Sequence, residues 1–205
     1  MTVRAYCMPG IYMEDVKPFT GGPLAGLNLA QVDGDMYFGY SRPGLTIGGF
    51  VRAHFTERIS GSMELLFSQK GSKGIAEVDD PFLGKYTARC NIGLNYVEVP
   101  VTIRYEVAGI GGEVGMSYSR LIGSKEWILS QPPVAIDAER NGFEENGLDY
   151  IVGISKRMNK HVQLNARFQY SAVSIRPFSR VPAGYAWGEK GQFNNLFSIR
   201  VVYEL

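Results

Sequence analysis

Seven charged residues stand singly among small polar residues, in segments whose apolar side chains occupy the alternate positions. They are Arg52, Glu64, Glu98, Arg104, Asp149, Arg167 and Arg200. If these segments are strands of a closed barrel, all seven side chains project into its lumen, because successive side chains of a strand point to opposite faces. A buried charge is costly unless an opposite charge pairs with it. The spacing therefore predicts a network of ion pairs that fills the lumen and leaves no continuous aqueous pore.

Other residue groups that could support catalysis occur in a context that argues against it. The acidic pairs Asp79-Asp80 and Glu144-Glu145 fall in polar segments, where adjacent acids are typical of a solvated surface. The glycine run 109–112 resembles a nucleotide-binding fingerprint, but that motif needs a following helix, and the next segment alternates like a strand. There is no GxSxG motif and no evident pair of nucleophile and base. We predict no catalytic site and no cofactor, and expect a protein that is not an enzyme.

Metal and nucleic-acid binding are also not predicted. His54 and His161 both stand near expected tight turns, without Cys, Asp or Glu at metal-ligand spacing, so we expect solvated side chains. The formal net charge is +1, and no basic stripe is present that could neutralise a row of phosphates. We therefore expect no metal site and no nucleic-acid partner.

The elements that would position the seven charges are eight alternating segments. The last one has Phe197, Ile199 and Val201 on one face, with Ser198 and Arg200 on the other. The predicted strands are 24–32, 44–55, 59–70, 94–106, 113–121, 148–158, 162–175 and 194–205. An unpaired final strand would leave an exposed edge, so pairing with the first strand closes a barrel. The prediction is an all-β, eight-stranded antiparallel up-and-down barrel over residues 24–205, with residues 1–23 as an N-terminal periplasmic extension.

The lengths of the connections favour a transmembrane barrel. Long loops near 33–43, 71–91, 122–146 and 176–193 alternate with tight turns, as in outer-membrane barrels with external loops and periplasmic turns. The polar faces are rich in Gly, Ser, Thr, Asn and Gln, unlike the dense Lys and Glu coat of a soluble surface. A soluble lipocalin-like barrel that holds a lipophilic ligand is the alternative interpretation. A narrow outer-membrane channel is a third.

The predicted topology also separates the two cysteines. Cys7 falls on the periplasmic side, whereas Cys90 falls near the end of an external loop. A disulfide requires the two Cα atoms to lie within about 7 Å of each other. We therefore expect both cysteines to be unpaired.

Large aromatic residues in the predicted loops are candidates for contacts with partner proteins. Phe82, Phe143, Tyr185 and Trp187 stand deep within the loops, and buried aromatic anchors dominate many protein interfaces. Tyr37 and Trp127 stand closer to strand ends, where an aromatic girdle at the membrane surface is an equally good interpretation.

Several segments resemble the PorT family of outer-membrane β-barrel proteins. They are MELLFSQKGSK (63–73), LNYVEVPVTIRYE (94–106), GMSYSRLIGSKE (115–126), NNLFSIRVVYEL (194–205), and GLNLAQVDGD followed by GLTIGGFVR near the start. The resemblance covers about residues 24–205 and implies an OmpA-like eight-stranded barrel in the outer membrane of a Gram-negative bacterium. It also implies contact with outer-membrane lipid and with other outer-membrane or secretion-complex proteins.

The role that the PorT resemblance implies is that of a non-enzymatic accessory or docking component. The founding member of the family takes part in type IX protein secretion and associated gliding. Family members are exported with a signal peptide, whereas residues 1–19 contain one Arg and no sustained apolar core. A signal peptide is therefore not recognised in the given sequence, and we expect either that a leader has been removed or that the start is misplaced.

Overall fold

Eight antiparallel strands form a closed ring in the computed structural model, which describes residues 18–35, 39–80, 84–130, 141–181 and 190–205. Each strand pairs with the next along the chain, and β8 pairs with β1 to close the barrel. The strands are β1 (Phe19–Asp33), β2 (Arg42–His54), β3 (Ile59–Asp80), β4 (Gly84–Val107), β5 (Ile110–Ser130), β6 (Asn146–Arg157), β7 (Val162–Ser171) and β8 (Phe193–Tyr203). The predicted fold class is confirmed.

The apolar side chains of the strands lie on the outside of the barrel. On β4, Val101 is 56% exposed, whereas the neighbouring Thr102 is 1% exposed and faces the lumen. The same alternation places Leu27, Leu65, Val152 and Ile199 on the outer wall. A lipocalin keeps its apolar side chains inside, so the lipocalin-like alternative is wrong, and the faces match a barrel embedded in lipid.

The first strand begins earlier than predicted. It starts at Phe19 rather than residue 24, and Phe19–Pro23 pair with β2, so the end of the predicted N-terminal extension belongs to the barrel wall. The sequence Gly21-Gly22-Pro23 is typical of a turn. Here Gly22 lies within β1, where it allows the backbones of β1 and Tyr203 to approach closely. A Cβ at this position would lie 2.0 Å from the carbonyl oxygen of Tyr203. Residues 1–17 are outside the part of the chain that the structure describes.

Three strands continue far past the rim that carries the long connections, which we call the long-loop rim. β3 pairs with β4 up to Asp80 and Gly84, and β4 with β5 up to Ala88 and Ser130. By contrast, the β2–β3 pairing ends at Thr46 and Ser68, and the β5–β6 pairing ends at Arg120 and Asn146. The segments 71–80, 84–93 and 122–130 thus form a three-stranded extended sheet. The prediction of loops over 71–91 and at the start of 122–146 is wrong.

Two features concealed the extended sheet from the sequence pattern. A β-bulge shifts the register of β5 opposite Asn95 and Tyr96, so Ile122 interrupts the period of two. Segment 71–80 is rich in Gly, Ser, Lys and acidic residues, which are typical of a loop. β7 ends at Ser171, four residues before its predicted end, and the chain bends at Ala172 and Val173.

The opposite rim, the turn rim, carries the tight turns after β2, β4 and β6. In the β4–β5 turn, Ala108 and Gly109 have φ values of 52° and 78°. Two consecutive positive φ values are typical of a type I′ hairpin turn, whose twist matches that of the flanking strands.

Helical structure is limited to a short 3-10 turn, Phe178–Arg180, in the β7–β8 connection of the described residues. Over the ranges that the structure covers, no helix is long and apolar enough to cross a membrane.

Candidate functional site

A network of buried charges fills the half of the lumen near the turn rim. Glu64 on β3 accepts hydrogen bonds from both terminal nitrogens of Arg167 on β7, at 2.9 and 2.7 Å, and from Arg200 on β8 at 2.8 Å. Glu113 on β5 accepts from Arg167 at 2.9 Å and from Arg104 at 2.6 Å. All five side chains are buried. The network therefore satisfies the requirement that buried charges be paired.

Side-chain amides complete the hydrogen bonding of these charges. The Asn165 oxygen accepts from two nitrogens of Arg200, at 2.9 and 2.6 Å, while its nitrogen donates to Glu113 at 3.1 Å. The Gln163 oxygen accepts from Arg52 at 3.2 Å and also from Arg104. These contacts connect β2, β4, β5, β7 and β8 through the lumen.

A second, smaller cluster lies closer to the long-loop rim. Lys70 on β3 forms ion pairs with Glu98 at 2.6 Å and with Asp149 at 2.7 Å. Gln169 donates to Glu98 at 3.2 Å and to Asp149 at 2.8 Å, and the hydroxyl of Ser171 donates to Asp149 at 2.8 Å. One lysine is thus shared by two carboxylates, whose remaining hydrogen bonds come from Gln169 and Ser171.

At the turn rim, Glu204 joins the chain terminus to the barrel. Its carboxylate lies 3.3 Å from Arg52, 3.9 Å from Arg157 and 3.9 Å from His54. Burial raises the pKa of Glu204, but the hydrogen bond from Thr20 and the charges of Arg52, Arg157 and His54 outweigh it, so this pKa lies below its ordinary value. Glu204 is therefore ionised at neutral pH and bound to the wall.

The two histidines differ from each other in environment. His161 is exposed, with Nδ1 3.0 Å from the carbonyl oxygen of Glu204, and it stacks on Tyr203. His54 is half-buried, with Nε2 3.1 Å from the Thr20 hydroxyl. The expectation of a solvated side chain is therefore wrong for His54. Among the described residues, no group of three or more His, Cys, Asp or Glu side chains could hold a metal ion.

The long-loop rim is closed from inside by an apolar cluster. Its buried members are Val32, Cys90, Ile92, Leu94, Tyr96 and Ile175. Above them, the Arg176 guanidinium lies 3.7 Å from the centroid of the Phe143 ring and forms an ion pair with Glu126. Phe143 packs against this cluster. It is thus partly buried at the rim, and its role as a partner contact stays a prediction.

The other three predicted partner-contact residues, Phe82, Tyr185 and Trp187, lie outside the described residues, as do Tyr37 and Cys7. Cys90 is buried in the apolar cluster. Trp127 lies on β5 within the extended sheet.

The structure places all seven predicted lumen charges inside the barrel and adds further members. Lys70, Glu113 and Glu204 also face inward. Each stands an even number of residues from a predicted inward position on the same strand, so the alternation of the strand could have identified it. Arg176 follows the end of β7, where no period of two applies, and no sequence signal was available for it.

The extended sheet exposes both its outer face and its edges. Ile75, Trp127 and Leu129 on the outer face are 62%, 49% and 63% exposed. In the described part of the chain, β3 from residue 71 and β5 from residue 122 have a strand partner only on the β4 side. Each therefore presents a strand edge to which no described strand is paired, although on β3 the Lys73 carbonyl oxygen accepts from the Ser41 hydroxyl.

Three solved structures that are similar to this chain are distant from it in sequence. The attachment invasion locus protein Ail of Yersinia pestis is 10% identical, with a TM-score of 0.48 over 93% of this chain and 100% of that chain. Neisserial surface protein A is 11% identical, with a TM-score of 0.44 over 92% and 98%. The N-terminal β-barrel domain of Pseudomonas aeruginosa OprF is 10% identical, with a TM-score of 0.35 over 92% and 98%. No curated protein matches this chain.

A family assignment comes from the sequence itself. The profile of the outer membrane protein beta-barrel domain matches residues 14–204, a range that includes all eight strands. The lipid-compatible outer wall and the filled lumen agree with that match. The chain thus belongs to the outer membrane protein beta-barrel domain family and resides in the outer membrane of a Gram-negative bacterium.

Proposed function

We propose that this protein is a non-enzymatic docking component of the outer membrane that serves as an accessory of protein secretion. The observation that carries this proposal is the extended sheet, which offers open strand edges beyond the long-loop rim of a barrel whose lumen is filled. The resemblance to the PorT family supports type IX secretion as the pathway.

The filled lumen favours a docking role over transport. Eight strands leave an interior just wide enough for side chains. Here the ion pairs of Glu64 with Arg167 and of Lys70 with Asp149 join strands that are not neighbours in the ring. The apolar cluster around Ile92 occupies the lumen above them. A barrel with this interior acts through its outer surfaces.

The strand edges favour a protein partner in extended conformation. An unpaired edge presents a row of backbone N–H and C=O groups, and these bind another strand by β-augmentation. The edges of β3 and β5 belong to segments 71–80 and 122–130. Apart from Ile122 at its margin, these segments lie beyond the lipid-facing belt, the band of apolar side chains on the outer barrel wall. A partner in the same membrane or at the cell surface can therefore reach them.

Proline substitution at these edges tests the docking role. Pro cannot donate a backbone hydrogen bond and is unfavourable for strand addition. In the antiparallel register, the N–H groups of Ile75 on β3 and Ser124 on β5 point away from β4, toward the open edges. We expect Ile75→Pro with Ser124→Pro to leave the level and heat-modifiable mobility of the barrel unchanged, but to reduce secreted cargo in the medium. The matched control is Ile75→Ala with Ser124→Ala, which removes the same side-chain groups and keeps the N–H groups.

Two results would count against the proposal. If deletion of the whole gene leaves secretion unchanged, the secretion role is wrong. If deletion abolishes secretion but the proline variant secretes like the alanine control, the partner binds elsewhere on the barrel.

A further inference from the structure

Three cations lie close together on the outer face of the extended sheet. Lys73 on β3, Arg89 on β4 and Lys125 on β5 are all exposed. In the cross-strand register, Lys125 is opposite Gly93, Lys73 is opposite Asn91, and Arg89 is opposite both Ile75 and Leu129. The three residues therefore occupy three successive rows of one sheet face.

These three cations have no acidic partner among the residues that the structure describes. Arg120, lower on the same face, differs because it pairs with Glu145 at 3.1 Å. Glu77 follows on β3 but forms no ion pair with Lys73 or Arg89 in the described structure. The face is thus locally positive in a chain whose net charge is only +1.

The height of the cations places them just above the lipid-facing belt. On β4 the apolar belt ends at Val97, and the rows of Lys125, Lys73 and Arg89 follow at residues 93, 91 and 89. With the usual rise and tilt of barrel strands, these rows lie about 10, 14 and 19 Å above Val97. Their long side chains can reach back toward the membrane. With that reach, the three cations span the level of the lipid heads and the space just beyond it, rather than the level of the acyl chains.

Apolar groups near the same cations suit the rest of a lipid. Tyr118 and Ile122 are exposed on the outer wall below Lys125, where acyl chains run. Trp127 shares the row of Lys73 and is 49% exposed, and Trp is favoured at the level of membrane headgroups. From the membrane outward, the acyl chains would thus contact the apolar wall, and the phosphates and sugars would contact the cations and Trp127.

We infer that Lys73, Arg89 and Lys125 form a binding site for the phosphorylated head of an outer-leaflet glycolipid. The cations bind its phosphates, Trp127 packs against its sugars, and the belt around Tyr118 contacts its acyl chains. This site lies on the outer face of the extended sheet, so it does not depend on docking at the strand edges. Its occupation would hold the sheet upright against the leaflet.

The test measures binding of bisphosphorylated lipid A to the full-length barrel in nanodiscs of zwitterionic phospholipid, by native mass spectrometry. The variant K73Q/R89Q/K125Q removes the three charges. The matched control R58Q/K156Q/K160Q removes three exposed cations at the turn rim. Each cation near an anionic lipid surface contributes about 1 kcal/mol, so we expect roughly 100-fold weaker binding for the first variant and wild-type binding for the control.

Dephosphorylated lipid A distinguishes head recognition from nonspecific contact with acyl chains. We expect it to bind wild type and both variants equally weakly. The inference is overturned if K73Q/R89Q/K125Q retains lipid A like wild type, if the turn-rim control loses as much, or if removal of the phosphates leaves wild-type binding unchanged. It is also overturned if the first variant keeps lipid A and loses a protein partner instead. Heat-modifiable mobility of each variant checks that the barrel is folded.

Discussion

Glu64 and Arg167 form a two-pronged ion pair directly across the barrel. They are 103 residues apart in the chain, and they belong to β3 and β7, which stand on opposite sides of the ring. Both hydrogen bonds are short, at 2.9 and 2.7 Å, and both side chains are buried. This pair closes the lumen and also ties together two walls that share no backbone hydrogen bonds.

Removing the charge of Glu64 should destabilise the barrel strongly. Among the described residues, Glu64→Gln leaves the single carboxylate of Glu113 to compensate Arg104, Arg167 and Arg200, and breaking a buried pair costs about 3–5 kcal/mol. The free energy of unfolding in lipid vesicles, from guanidinium titration, measures this loss. As control, Glu106→Gln affects a partly exposed pair with Arg157 and should cost about 1 kcal/mol or less. A Glu64→Gln barrel as stable as the control variant would contradict the role of the pair.

Replacing both partners together should cost less than the sum of the two single changes. In Glu64→Met with Arg167→Met, neither side chain leaves the other as an uncompensated charge, and apolar replacements of buried ion pairs are often tolerated. Arg200 keeps Asn165, and Glu113 keeps Arg104. A double-mutant cycle on unfolding free energies measures the coupling. Additive costs would mean that the two side chains do not interact in the folded barrel.

The wild-type barrel should not conduct ions. The charge clusters around Glu64 and Lys70 and the apolar cluster around Ile92 occupy the lumen in succession. Planar-bilayer recordings should therefore show no steady current, whereas a wide porin in the same bilayer gives steps. A reproducible ohmic conductance would favour the narrow-channel alternative and reject the filled lumen.

A charge on the outer wall should be costly only within the membrane. Val101 faces outward at mid-strand of β4, so Val101→Arg should destabilise the folded barrel by about 2–4 kcal/mol if it lies at the bilayer midplane. Thr87 faces outward on the same strand but within the extended sheet, so Thr87→Arg should have little effect. Unfolding titrations in vesicles compare the two variants. Equal costs would mean that the wall around Val101 does not contact lipid.

The contribution of Glu204 to stability should disappear in acid. Its pKa in the folded barrel lies below its ordinary value of 4.5, so the ionised carboxylate contributes stability that is fully present above pH 4.5. That stability is lost as pH falls through the folded pKa. Unfolding of wild type and Glu204→Gln should therefore differ at neutral pH and converge once the pH falls below the folded pKa of Glu204. A difference that persists unchanged in strong acid would show that the carboxylate charge is not responsible.

The strand faces could be predicted from sequence because the relevant signal is local. Each strand alternates with a period of two, so Val101 and Thr102 point to opposite faces whatever partners they have. The same reasoning located the seven lumen charges without any pairing information. It failed at Gly21-Gly22, where a close approach to Tyr203 uses residues typical of a turn, and at Ile122, where a bulge breaks the period.

The sequence by itself determined the strand count, the closed all-β class, and which side chains face lipid and which face the lumen. Only the tertiary structure decided that Arg167 pairs with Glu64, that β3, β4 and β5 continue as an extended sheet, and that Phe143 packs inward on Arg176. The physical reason is the range of the interactions. Alternation depends on neighbouring residues, whereas cross-lumen pairs and strand extension depend on residues far apart in the chain that meet only when the ring closes.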